Sequence, residues 1–277
     1  MRFAYVANAW GGVVGTPGAV TDMSSGFYLT PGELEPTLER VAEAGFEGIE
    51  VFDGNLMSYA GKPAQLHTSL SNTGLELVAV YSGGHFIYPD AHEDESHRFR
   101  RSIALAAELG ARHYVFGGGA IRAQGRRDED YRVMADLLDK SAEEASVAGL
   151  IPSYHPHLGS LAESTEHIDA LFSESKIGLC ADIAHLAGGG SNPSEMIQRY
   201  QDRLTYVHLK DIDFETKEFQ PLGEGDLDLA TVLQAVVDAN YSDWITVELD
   251  GYSGDPNAAA RRNLDYLNKS LLMATPN

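Results

Sequence analysis

Three segments of the chain end in side chains able to hold a divalent ion. Ile177-Gly178-Leu179-Cys180-Ala181-Asp182, Leu204-Thr205-Tyr206-Val207-His208-Leu209-Lys210-Asp211 and Trp244-Ile245-Thr246-Val247-Glu248 are short apolar runs with Asp182, His208 and Glu248 at or near their C-terminal ends. Alternate residues of an extended strand face opposite ways, so Tyr206, His208 and Lys210 share one side and Val207, Leu209 and Asp211 the other. An earlier run leads into His155-Pro156-His157, and His185 follows Asp182 at a spacing of three. A mixed set of imidazoles and carboxylates suits a borderline or hard divalent ion, manganese first, with cobalt, zinc or magnesium as alternatives. Repulsion among converging carboxylates is itself a reason to expect a cation. Each residue also has a plain structural reading. A strand-terminal His is often only hydrogen-bonded, Asp182 could cap the turn before His185, and Glu248 could pair with an Arg. The ligand reading draws its strength from three successive strands that end alike.

The elements that must position these groups alternate. Strands are expected at Arg2–Ala7, Gly48–Phe52, Glu76–Tyr81, Ala111–Phe116, Leu150–Tyr154, Ile177–Ala181, Leu204–Leu209 and Trp244–Glu248. Helical patterns lie between them. The first opens with Thr30-Pro31-Gly32-Glu33, a capping-box signature with Pro at the first helical position, and stops at Gly45. Asp53-Gly54-Asn55 reads as a turn, and Gly117–Gly119 and Gly188–Gly190 as flexible loops or phosphate cradles. Alternating strands and helices without hairpin signals predict a parallel sheet, and eight strands close a (β/α)8 TIM barrel, an α/β fold. An open doubly wound sheet would need a Gly-rich phosphate turn after strand one, which Asn8-Ala9-Trp10-Gly11-Gly12 does not match. In a barrel the strand C-termini converge on one mouth, which gathers Glu50, His85, His155, His157, Asp182, His185, His208, Lys210, Asp211, Glu248 and Asp250. His92, His97, His113 and His167 fall on helices or strand starts and are expected to face solvent.

At 277 residues the chain is expected to form one domain, 1–277, with a core that needs no disulfide. The single cysteine, Cys180, lies inside an apolar strand pattern and reads as a small buried hydrophobe in a reducing, cytoplasmic protein. No apolar run is long enough for a signal or a membrane span. A formal charge of −21, from 41 acidic and 20 basic residues, opposes binding to a phosphate backbone and argues against nucleic acid as substrate.

Four motifs carry a resemblance. Asp182-x-x-His185, His208-x-Lys210-Asp211, Gly223-Glu224-Gly225-Asp226 and Trp244-Ile245-Thr246-Val247-Glu248 resemble the xylose-isomerase-like sugar phosphate isomerase/epimerase superfamily over essentially the whole chain, most densely from His155 to Asp250. The resemblance implies a divalent-metal site at the barrel mouth with Asp182, His208 and Glu248 as ligands. Ketose epimerases of the superfamily carry a Glu at the end of strand five, where this chain has His155 in His155-Pro156-His157-Leu158-Gly159-Ser160. That exchange removes the pair of facing glutamates that trade a proton across the substrate carbon. His-rich versions of the stretch are similar to inosose dehydratases, and similar barrels act on 3-keto-glycosides by β-elimination.

The chemistry implied is proton removal beside a carbonyl, with a divalent Lewis acid stabilising the enolate. His155, Asp182, His208 and Glu248 are expected to hold the metal. His157 and His185, with Glu248, are the expected acid/base groups, since an imidazole exchanges roles near neutral pH. Glu50, Lys210, His85 and Trp10 are expected to hold the substrate, a small keto-sugar or keto-polyol. The preferred expectation is a metal-dependent lyase or dehydratase, and the alternative is a sugar isomerase or ketose epimerase. An apurinic-endonuclease-like protein and a non-catalytic barrel subunit are the remaining readings, and a homo-oligomer is left open.

Overall fold

Eight parallel strands close into a barrel in the computed structural model, which describes residues 1–11, 20–21, 26–30 and 32–274. The strands are β1 (Arg2–Val6), β2 (Gly48–Phe52), β3 (Glu76–Gly84), β4 (His113–Gly118), β5 (Ile151–His155), β6 (Gly178–Asp182), β7 (Leu204–Leu209) and β8 (Trp244–Val247). Each pairs with its sequence neighbours, and β8 returns to β1 with Arg2 opposite Trp244. Around them run α1 (Leu34–Glu43), α2 (Asp53–Met57), α3 (Pro63–Thr73), α4 (His92–Glu108), α5 (Asp128–Val147), α6 (Thr165–Glu174), α7 (Ile183–Gly188), α8 (Pro193–Arg199), α9 (Leu229–Asp238) and α10 (Pro256–Ala274).

The two-residue period of the strands divides the core into two layers. Ala4, Val6, Val115, Cys180, Tyr206 and Trp244 fill the barrel interior. Their neighbours Tyr5, Ile49, Leu179, Val207 and Ile245 face outward and pack against helical stripes such as Leu38 and Val41 of α1. Each fully buried side chain of this kind stabilises the fold by about 1.5–3 kcal/mol. Residues of inward parity therefore ride up the strands to the mouth: Glu50 on β2, His155 on β5, Asp182 on β6, His208 on β7 and Glu248 just beyond β8.

Several local expectations are corrected. Helix α1 begins at Leu34, and Glu33 precedes it without a side-chain cap. Thr30 is no cap, and its amide donates to Asn55 Oδ1 at 3.0 Å; Pro31 lies outside the described residues. Pro36 is tolerated because the first helical turn needs no N–H there. Two short antiparallel hairpins, Val20–Thr21 with Tyr28–Leu29 and Asp211–Ile212 with Phe219–Gln220, decorate the barrel. Asp53-Gly54-Asn55 is the first turn of α2 rather than a free turn. His113 is fully buried and stacked on Tyr206, with ring centroids 4.4 Å apart. His92 is half-buried, with Nε2 2.6 Å from the Phe86 carbonyl.

Candidate metal centre and substrate cavity

His155, Asp182, His208 and Glu248 converge at the mouth, with one nitrogen or oxygen from each lying within 4.8 Å of the others. His155 Nε2 is 3.2 Å from Asp182 Oδ2 and 3.8 Å from Glu248 Oε2. His208 Nδ1 is 3.0 Å from the same Glu248 oxygen and 3.8 Å from Asp182 Oδ2. Register explains the meeting, because His208 sits beside Asp182 on β6 and beside Thr246 on β8, two residues before Glu248. Asp182 serves twice. Its Oδ1 caps α7 by accepting from the His185 amide at 2.8 Å, which frees Oδ2 for the cluster. The capping reading and the ligand reading thus use different oxygens of one carboxylate.

Glu50, expected to hold substrate, is instead completely buried, with Oε2 2.8 Å from His208 Nε2. A carboxylate there accepts the Nε2 proton, so that a divalent ion displacing the proton on Nδ1 would meet the Nδ1 lone pair, the usual support for a metal-binding imidazole. Lys210 is likewise fully buried and does not reach the cavity. Its ammonium donates to Asp250 Oδ2 at 2.7 Å and Glu248 Oε2 at 2.9 Å, and lies 3.1 Å from Asp182 Oδ2. Trp10 stands apart, donating to Asn257 Oδ1 at 2.9 Å. Asn8, absent from the sequence expectations, is buried and donates to Glu248 Oε1 at 2.8 Å and Asp250 Oδ1 at 2.6 Å.

The charges follow from these contacts. Burial would lower the His208 pKa, but Glu50 and Glu248 raise it to about 10. Burial would raise Glu248, yet Lys210 and His208 hold it well below the usual carboxylate range. Asp250 is pushed up to about 7 by burial and then by Glu248. Asp182, Glu248 and Asp250 thus share the Lys210 ammonium, and Glu50 and Glu248 flank His208. Two imidazole nitrogens and two carboxylate oxygens, one imidazole already oriented by Glu50, fit a divalent ion.

Beside the cluster is a cavity of about 300 Å³, enough for one small molecule. His85, His155, His157, Glu248 and Asp250 line its polar side, and Tyr28, Phe52 and Tyr81 its aromatic side. His157 Nδ1 lies 2.7 Å from the Leu158 carbonyl. A carbonyl only accepts, so Nδ1 carries the proton and Nε2 keeps its lone pair. Burial and then the charge on His155 lower the His157 pKa to about 4. His185 is buried against His157, ring centroids 3.7 Å apart, and its Nε2 accepts from Lys210 at 3.1 Å. Burial, His157 and Lys210 keep it neutral, well below the ordinary imidazole range.

The glycine loops are not phosphate cradles: Gly119 and Ala120 amides donate to the Gly84 and His85 carbonyls, and Gly189 and Gly190 to His185 and Ala187. Asp211, which ends the His208-x-Lys210-Asp211 motif, points away from the cluster. It accepts from the amides of Ile212, Gly223, Gly225 and Leu227 at 2.9 to 3.1 Å. This ties down the loop whose Phe219 covers Lys210 at 4.7 Å and His185 at 5.2 Å.

Comparisons with known proteins agree with this geometry. The profile of the xylose isomerase-like TIM barrel family matches residues 38–270. An inosose dehydratase of Geobacillus kaustophilus is 26% identical over 270 residues, covering 85% of this chain and 86% of the relative. The rhizopine catabolism protein MocC of Rhizobium meliloti is 26% identical over 260 residues, covering 82% of this chain and 76% of the relative. Among solved structures, an IOLI protein with a bound zinc atom superposes with a TM-score of 0.79 at 17% identity, covering 100% of both chains. An L-ribulose 3-epimerase superposes at 0.76 with 20% identity, covering 99% of this chain and 95% of the other. The structural likenesses establish the fold, and the profile spans most of the sequence. The chain belongs to the xylose isomerase-like TIM barrel family.

Proposed function

We propose that the protein is a divalent-metal-dependent dehydratase of a neutral keto-polyol of the inosose type. The carrying observation is the meeting of His155, Asp182, His208 and Glu248 beside a cavity lined by His155, Glu248 and a neutral His157 whose Nε2 keeps its lone pair. Relatives of similar length named inosose dehydratases support the substrate class. Among the described residues no Lys or Arg lines the cavity, which favours an uncharged substrate over a sugar phosphate. The mixed nitrogen and oxygen donor set suits a borderline or hard divalent ion, and manganese is the ion proposed. A single cysteine, buried and unpaired, supports a cytoplasmic setting.

A divalent ion held by the four residues would polarise the substrate carbonyl and stabilise negative charge on its oxygen. His157 takes the proton from the carbon beside that carbonyl onto Nε2. The imidazolium then returns the proton to the hydroxyl leaving the β-carbon, so that water departs and a carbon–carbon double bond forms. Lys210 and Asn8 hold Glu248 in place, and Glu50 holds His208. Tyr28, Phe52 and Tyr81 give the same cavity an apolar lining.

Purified protein loaded with manganese and given a keto-inositol is expected to release water and form a hydroxy-enone, the enol of a 1,2-diketone, read by its ultraviolet absorbance. Solvent deuterium entering recovered substrate or an epimer without loss of water would replace this reading with epimerisation. His208→Ala and Glu248→Ala are each expected to abolish metal binding and turnover, and full metal content in either would overturn the ligand assignment.

A further inference from the structure

The geometry points to Tyr28 as the specificity-determining wall of the cavity and to the buried Asp53–Arg98 pair as the device that positions it. The inference rests on the keto-polyol reading above. Tyr28 comes from the short segment before α1, outside every barrel strand, yet its ring lines the cavity. It stacks on Tyr81 with centroids 5.9 Å apart and 18° between planes, and meets Phe52 edge-on at 6.4 Å. The three rings make one continuous apolar face, and Tyr81 meets His155 edge-on with centroids 5.5 Å apart, which sets that face beside the cluster.

The backbone beneath is shaped for this ring. A Cβ on Gly83 would lie 1.5 Å from Tyr28 Cε2, and one on Gly117, its register partner on β4, would lie 1.8 Å from the Tyr81 hydroxyl. Two glycines side by side thus leave two phenol-sized recesses. Gly54 lets the chain close further, since a Cβ there would sit 2.3 Å from the Tyr28 carbonyl oxygen.

Asp53, at the start of α2, sets the register of the segment. Its Oδ1 accepts from the Tyr28 amide at 2.8 Å, while Oδ2 accepts from Ser82 Oγ at 2.5 Å and Arg98 Nη1 at 2.9 Å. Arg98 also donates to the Gly83 carbonyl, so the ion pair grips the strand position against which Tyr28 lies. Asn55 adds a paired contact, accepting from the Thr30 amide at 3.0 Å and donating to the Thr30 carbonyl at 2.8 Å. A buried ion pair is a costly way to gain stability, and its value here lies in fixed geometry. A flat aromatic face suits a polyol ring whose axial C–H bonds make a face apolar while its equatorial hydroxyls project from the rim, as in an inositol or a pyranose.

The test compares Tyr28→Leu, Tyr28→Phe, Asp53→Asn and the double variant Tyr28→Leu/Asp53→Asn, with KM and kcat for a keto-inositol and the Kd of myo-inositol for the manganese-loaded protein. Tyr28→Leu should raise KM and Kd about tenfold with kcat and metal content little changed, and Tyr28→Phe should restore both. Asp53→Asn should raise them likewise and add nothing once the ring is gone, because it acts through Tyr28. Should Asp53→Asn fail to fold, Gly83→Ala, which displaces the ring and leaves the ion pair intact, takes its place. Unchanged KM and Kd in Tyr28→Leu, or additive effects in the double variant, overturn the inference. If the wild-type protein dehydrates no keto-inositol, the reaction is refuted, and the Kd series alone decides the role of Tyr28.

Discussion

Glu50 and His208 illustrate what single residues contribute. His208 has two ring nitrogens with separate tasks: Nε2 meets Glu50 and Nδ1 faces Asp182 and Glu248. Glu50→Gln keeps a hydrogen-bond acceptor but loses the charge that orients and enriches the imidazole. Metal affinity should fall about 10- to 100-fold, measured by competition with a chelating dye, while the fold persists. Retention of wild-type affinity would show that Glu50 does not support a ligand. The strand-end ligands were legible in the sequence because parity and position on a strand decide both depth and direction. Glu50 and Lys210 obey the same parity, so their inward facing was legible too. Their burial beneath the cavity was not, since it depends on partners 158 and 38 to 40 residues away. Asn8 gave no signal at all, lying past the end of β1 with no motif around it.

Among the elements, the loop after β7 shows how one carboxylate organises many backbone groups. Asp211 accepts four amides, and a Cβ on Gly225 would fall 2.4 Å from its Oδ1, so the loop has little freedom to repack. Asp211→Ala leaves those donors unpaired and should cost about 3 kcal/mol in chemical denaturation, with faster hydrogen exchange at Gly223 and Gly225. Exchange as slow as in the native chain would mean the loop is held otherwise. Barrel strands and most helices could be read from hydropathy because their periods are strong. The hairpins and α2 could not, as they are two to five residues long and depend on contacts across the mouth. His113 was misplaced for a different reason. A strand start suggests solvent, but a closed barrel is packed from foot to mouth, and the shared parity of His113 and Val115 turns both inward.

For the whole molecule, the foot of the barrel is tied across its width. Arg112 before β4 donates to Asp243 before β8 at 2.8 to 3.0 Å. Partial burial would raise the Asp243 pKa, but His113 and Arg112 lower it from the ordinary 3.8 to about 2. The folded state therefore holds this proton less tightly than the unfolded chain. The stabilisation is present above pH 3.8 and disappears as the pH falls through about 2. Asp243→Asn should remove about 1 kcal/mol at neutral pH, allowing for screening of the exposed Arg112, and flatten the acid limb of a stability curve. An unchanged acid limb would assign that limb to other carboxylates. At the opposite end, the ammonium of Lys210 is wedged among Asp182, Glu248 and Asp250. The barrel mouth thus carries its own counter-charge without a divalent ion, and the metal-free chain is expected to stay folded. A stripped molecule would wait, folded, for metal to return.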